Sequence, residues 1–137
     1  MRRVLPSFLV DAGFVLLFAL IGRASHVEGV TVLGVLDTAW PFLVGLVLGW
    51  AAAWLVRRDW PVEVVHATPI WLLTVAAGLA LRVVSGGGGA PLSFALVAAV
   101  VLGAFLLGWR ALVATLRFAT DGLRTWAERQ ARQRTRR

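Results

Sequence analysis

Residues 5–22, LPSFLVDAGFVLLFALIG, are long and apolar enough to cross a bilayer as a helix, and a carboxylate, Asp11, stands inside them. A spanning helix needs about 20 predominantly apolar residues. An ionised side chain at that depth costs roughly 2.5–3.5 kcal/mol on insertion scales. Asp11 must therefore be protonated, paired or turned toward a protected interior. Its side chain is too short to reach the interface from there, so whatever satisfies it has to come from elsewhere in the chain.

Three further apolar runs follow, at residues 39–56, 68–84 and 92–113. They predict an all-α membrane protein whose residues 1–113 form a bundle of four transmembrane helices, with a basic amphipathic helix over 114–137. Composition agrees with this. Hydrophobic residues make up 59% of the 137, above the roughly 45–50% of soluble domains. A soluble core of this size could not cover so much apolar surface. Met1-Arg2-Arg3 before the first run has the look of a secretory leader. The run is too long for a leader's core and carries a charge, so it is expected to stay as the first span.

Residues 23–37 read as a connection whose middle, 30–36, is too short to span. Asp37 or Thr38 is the expected cap of the second helix, with Pro41 in its first turn, where a missing N–H does no harm. Pro69 is placed in the same way at the start of the third helix. Trp40 and Trp54 fit the aromatic belts of a crossing segment. Gly45, Gly49 and Ala53 recur every four residues, a ridge that lets another helix come close; Gly78 and Gly103 are further packing positions. The ridge is expected to serve self-association or a membrane partner protein. The glycines at 86–89 lack the Lys-Ser/Thr of a phosphate loop and read as a hinge.

All fourteen basic residues are arginine, against seven acids, for a net charge of +7. They cluster at the ends of the apolar runs and in the tail rather than along one soluble face, so nucleic acid is not an expected partner. With four spans, twelve arginines fall on one side and only Arg23 and Arg82 on the other. The positive-inside rule then predicts both termini in the cytoplasm of a cell (inner or plasma) membrane. In the tail, Leu112, Leu116, Ala119, Leu123 and Trp126 share one face, and Arg117–Asp121, Arg124–Glu128 and Glu128–Arg132 are spaced i,i+4. Such a tail is expected to favour anionic lipid.

Asp11 lies roughly 9 Å inside the cytoplasmic end of the first span, and Arg110 roughly 5 Å inside the same end of the fourth, at 1.5 Å per residue. If these spans are neighbours the two can form an intramembrane ion pair. The alternatives are an Arg110 that snorkels to the interface and an Asp11 that handles a proton or cation. Arg82 and Thr74 share a face with Trp71 and Gly78 and are further candidates for an intramembrane polar site. At the outer end Arg23, His26 and Asp37, with Glu28, form a polar mouth that either attracts an anion or is ordinary interfacial charge. His26 and His66 are expected on opposite sides of the membrane. With no cysteine, no metal-ligand spacing and no nucleophile beside a base, no metal site, cofactor or catalytic set is expected.

Asp11, Gly22-Arg23 with His26, Thr38-Ala39-Trp40-Pro41-Phe42, then Trp71, Thr74, Gly78 and Arg82, and finally Leu107-Gly108-Trp109-Arg110 resemble the small membrane proteins grouped as domain of unknown function 3054. The likeness covers about residues 8–113 and leaves out the basic tail. It implies four spans and brings no activity with it. Three function classes stay open on the residues themselves. The first is a proton or small-anion conduit using Asp11, Arg82 and Arg110; the second is a non-catalytic accessory or assembly subunit that docks through the glycine ridge and the tail; the third, an intramembrane enzyme, ranks last for want of a catalytic set.

Overall fold

The computed structural model describes residues 4–24, 30–57, 64–86 and 89–135. Those residues form four helices and, among them, no strand: α1 (Val4–Ala24), α2 (Val32–Arg57), α3 (Val64–Val84) and α4 (Leu92–Thr135). Each includes a stretch long and apolar enough to cross a bilayer, which fits a multi-pass membrane protein. His26 and Glu28, Arg2, Arg3 and Arg58, and Gly87 and Gly88 lie outside the described residues, as does the side chain of His66.

The helices go round in chain order, α1 against α2 and α4, and α3 against α2 and α4, with α2–α3 the most extensive contact. Inward faces follow helical spacing. On α1 the buried residues are Ser7, Asp11, Val15, Phe18 and Ala19, one stripe of a helix that is apolar on nearly every side. The core they enter includes Val15, Phe18, Phe42, Leu46, Trp50, Ile70, Leu102 and Leu106. The outward faces are equally apolar, with Leu9, Leu48, Leu72 and Val100 all exposed. Exposed apolar surface on this scale belongs against lipid.

Two starts differ from expectation. α2 begins at Val32, not near Ala39, because Thr31 provides the cap: its Oγ1 accepts the Gly34 N–H at 3.1 Å. Asp37 is thereby an exposed residue inside the helix, and neither it nor Thr38 is a cap. Pro41 falls well inside α2 and Pro69 inside α3, which begins at Val64. Proline inside a helix forfeits one backbone hydrogen bond, a loss that spanning helices tolerate because neighbouring groups satisfy the freed carbonyl. The Pro41 ring is fully buried in the core.

The small-residue ridge of α2 is also redirected. A Cβ built on Gly45 would stand 2.7 Å from the carbonyl oxygen of Thr74, and one on Gly49 would stand 2.9 Å from Cα of Ile70. Ala53, next on the ridge, is buried as well. The ridge is thus filled by α3 of the same chain and is not a surface for docking a partner or a second copy. Its physical reason is local: a four-residue ridge packs best against a close neighbour, and α3 is the helix that follows α2 in the chain. Gly78 of α3 leaves room for the Phe42 ring, and Gly103 of α4 receives the Trp71 indole, whose Nε1 donates to the Ala99 carbonyl at 2.8 Å.

α4 is a single helix of 44 residues, roughly 66 Å long at 1.5 Å per residue. A hydrocarbon core is only about 30 Å thick. The tail continues the fourth span as one helix through Thr135, projecting beyond the bundle as an arm.

Candidate functional site

Asp11 sits on the buried stripe of α1, where the 7, 11, 15 spacing turns it inward. Arg110 arrives on α4 from the opposite chain direction, one turn beyond Leu106, on the face that also buries Leu102. The structure brings the two together. Arg110 Nη1 donates to Asp11 Oδ1 and Nη2 to Oδ2, both at 2.7 Å. This is a forked, two-point pair, the strongest arrangement open to these groups. Both side chains are withdrawn from the surface, at 1% exposure for Arg110 and 0% for Asp11. Arg110 does not snorkel; its Nη1 also donates to the Leu106 carbonyl at 2.9 Å.

Two indoles complete the site. Trp50 of α2 donates from Nε1 to Asp11 Oδ2, and Trp109 of α4 donates to Oδ1, each at 2.9 Å. Each carboxylate oxygen therefore accepts one guanidinium N–H and one indole N–H. The guanidinium carbon also lies 4.6 Å from the Trp109 ring centroid and 5.9 Å from that of Trp50, within reach of cation–π attraction. One carboxylate thus ties together three helices, α1, α2 and α4. Beside it an open apolar groove of about 570 Å³ runs between α1 and α2, with Trp50 on one wall and Phe8, Val47 and Trp54 around it.

The other sequence-predicted positions do not join this cluster. Arg82 is at the far end of the bundle. Its Nε donates to the Gly89 carbonyl at 2.9 Å and its guanidinium lies 4.5 Å from the Phe94 ring centroid. Fifteen positions on α4 separate Phe94 from Trp109, roughly 22 Å. Arg82 therefore anchors the loop after α3, where Gly86 and Gly89 take the left-handed φ values of 74° and 72°. Thr74 is fully buried at the α2–α3 contact, and its Oγ1 has no hydrogen-bond partner. Arg23 is at the Arg82 end, its guanidinium occupying the space over Gly34 where a Cβ would sit. Asp37 is exposed, and His26 is outside the described residues.

Trp50 and Trp109 were missed as ligands of the carboxylate by reasoning from sequence. For Trp50 the usable signal was its depth; Trp109, about 6 Å from the end of its span, carried none. Trp50 stands about 10 Å from the Arg57 end of its helix, close to the depth of Asp11, and a tryptophan held away from the interface needs a partner for its N–H.

A family model described as "Protein of unknown function (DUF3054)" matches residues 8–113. The match takes in Asp11, Trp50, Trp109 and Arg110 and ends where the arm of α4 leaves the bundle. No curated protein and no solved structure matches the chain.

Proposed function

We propose that this chain, which belongs to the DUF3054 family of proteins of unknown function, is a non-catalytic accessory subunit of a membrane assembly. In this reading the four-helix bundle is the anchor, both termini are cytoplasmic, and α4 carries a rigid arm to the partner. The observation that carries it is the continuity of α4, whose last two dozen residues leave the bundle with Leu116, Phe118, Leu123 and Trp126 all more than half exposed. Apolar side chains left exposed on a helix beyond its bundle call for a partner surface. Arg117, the first arginine of the arm, also draws anionic headgroups where α4 leaves the bilayer, at about 1 kcal/mol per basic residue near the surface.

The second reading is a proton or small-anion conduit through the same charges. Asp11 supports it less well, because both of its oxygens are already occupied by four donors from Arg110, Trp50 and Trp109. A carboxylate so held acts as a clamp between helices rather than as a relay that takes up and releases a proton.

Native gel electrophoresis of membranes containing the full chain tests the accessory reading. The chain should migrate in a larger assembly of fixed stoichiometry, and truncation after residue 113 should release a folded bundle from it. Proteoliposomes of the purified chain should show no proton or anion flux. Flux abolished by Asp11→Asn would overturn the accessory reading in favour of the conduit.

A further inference from the structure

Phe105, Trp109, Leu112, Leu116, Ala119, Leu123 and Trp126 of α4 follow one another at intervals of 4, 3, 4, 3, 4 and 3. That is the seam spacing of a coiled coil. Its first part is already occupied. Phe105 stacks on Phe14 of α1 with ring centroids 5.0 Å apart, and Trp109 donates to Asp11 of the same helix. α1 begins at Val4, seven residues and about 10 Å beyond Asp11. From Ala119 onward no helix among the described residues lies beside the seam, and Leu123 and Trp126 are 67% and 61% exposed.

We propose that this outer seam docks an acidic amphipathic helix of a partner protein, laid along α4 in coiled-coil fashion beyond the end of α1. This rests on the accessory reading and names the partner class. Three observations select that occupant. The seam prolongs an interface that α4 already makes with α1, so a helix is the shape it accommodates.

The seam residues from Leu112 to Trp126 keep within about 80° at 100° per residue, with Phe118 the one large exposed apolar residue of the arm outside them, a stripe narrower than the face of a helix that lies on a bilayer. α4 is also unbroken, so Trp126 stands roughly 21 Å past Leu112. Headgroups extend only about 5–8 Å beyond the hydrocarbon. With α4 directed along the membrane normal, lipid does not reach the outer seam.

Charge then decides between a second copy and a different protein. With Leu116 and Leu123 at a, Arg129 takes a g position and Arg134 the following e position. In a parallel, in-register pair of identical arms these would oppose each other. The arm's own acids, Asp121 and Glu128, both fall at f, on the side away from the seam. The flanking positions beside the seam itself are uncharged (Thr115, Thr120, Gly122), and the first charged one, Arg129 just past Trp126, is basic and fits a helix with glutamate or aspartate opposite it.

The test uses the full chain in nanodiscs of zwitterionic phosphatidylcholine. The probe is a labelled three-heptad peptide with leucine at a and d and glutamate at e and g. A second peptide has the same composition in scrambled order. Binding read by anisotropy should favour the ordered peptide. Leu123→Glu and Arg129→Glu should each weaken it about tenfold, with helicity and melting of the bundle unchanged. Equal binding of the scrambled peptide, or no binding of either, overturns the proposal.

Two other occupants have their own signatures, and the absence of cysteine makes a single Leu123→Cys variant a clean reporter. Disulfide cross-linking of two chains through it would assign the seam to a second copy. Quenching of a fluorophore on it by brominated acyl chains in phosphatidylglycerol vesicles would assign the seam to the bilayer surface. Either result overturns the acidic-helix proposal. If the peptide fails while truncation after residue 113 still dissolves the native assembly, the docking mode is wrong and the accessory reading stands. If the peptide binds and truncation leaves the native assembly intact, the reverse holds.

Discussion

Arg110 and Asp11, 99 positions apart in sequence, meet through two parallel hydrogen bonds of 2.7 Å in the interior of the bundle. The contact joins the first helix to the last, and with the indole N–H groups of Trp50 and Trp109 it leaves neither carboxylate oxygen without two donors. Burying either charge alone in a bilayer is unfavourable. Held together they form a neutral unit that closes the ring of helices.

Removing one member should therefore hurt more than removing both. Asp11→Leu leaves a buried guanidinium without its counter-charge, a change that costs about 3–5 kcal/mol in comparable settings. The double variant Asp11→Leu with Arg110→Met should recover much of that loss. Denaturant unfolding in detergent measures both. A double variant no more stable than the sum of the two single losses would mean that the pair is not a coupled unit.

The indoles are expected to behave as part of the same unit. Hydrogen bonds to a charged acceptor contribute about 1.5–3 kcal/mol, so Trp50→Phe and Trp109→Phe should each destabilise by an amount in that range. In an Asp11→Leu background the same changes should cost clearly less. A double-mutant cycle reads the difference, and a coupling near zero would reduce the indoles to packing alone.

Glycines on the bundle should divide by what lies over them. Gly49→Ala drives a methyl group to 2.9 Å from the α3 backbone at Ile70, whereas Gly108 has nothing within 4 Å. Gly49→Ala should separate α2 from α3 and lower the melting temperature. Gly108→Ala should be neutral or stabilising by up to about 1 kcal/mol, through helix propensity and the unfolded chain. Equal effects at the two positions would contradict the close α2–α3 contact.

Thr74 offers a gain. Its hydroxyl is buried with no partner, and an unsatisfied buried polar group costs about 1–3 kcal/mol. Thr74→Val keeps the branched shape and removes the hydroxyl, so it should stabilise by about 1 kcal/mol. A loss of stability on thermal unfolding would show that the hydroxyl does have a partner in the membrane.

Much of this architecture was legible in the residues. Four long apolar runs have one economical home, and the depths of Asp11 and Arg110 follow from counting rises along their helices. Whether Arg110 paired or snorkelled, and whether Asp11 was paired or handled a proton, was not legible, because that depends on the order of helices around the bundle. The indole ligands were hidden for a related reason. Trp50 and Trp109 are 39 and 98 positions from the carboxylate, and a tryptophan near a helix end is as readily a membrane-interface residue. The ridge of Gly45 and Gly49 was visible, but spacing says only that some helix comes close, not that it is α3. The start of α2 was obscured by Pro41, whose usual place in a first turn drew attention from Thr31.

The separation of 99 residues between the acid and its cation also sets an order of events during synthesis. The ribosome makes α1 well before Arg110. At roughly 5–20 residues per second, Asp11 waits on the order of 5–20 s for its counter-charge. Trp50 emerges in less than half of that interval, so the α1–α2 hairpin supplies the first donor while the nascent chain is still growing. The finished bundle is neutral within; its first hairpin is not, and a stalled chain that ended before α4 would leave an acid stranded in lipid.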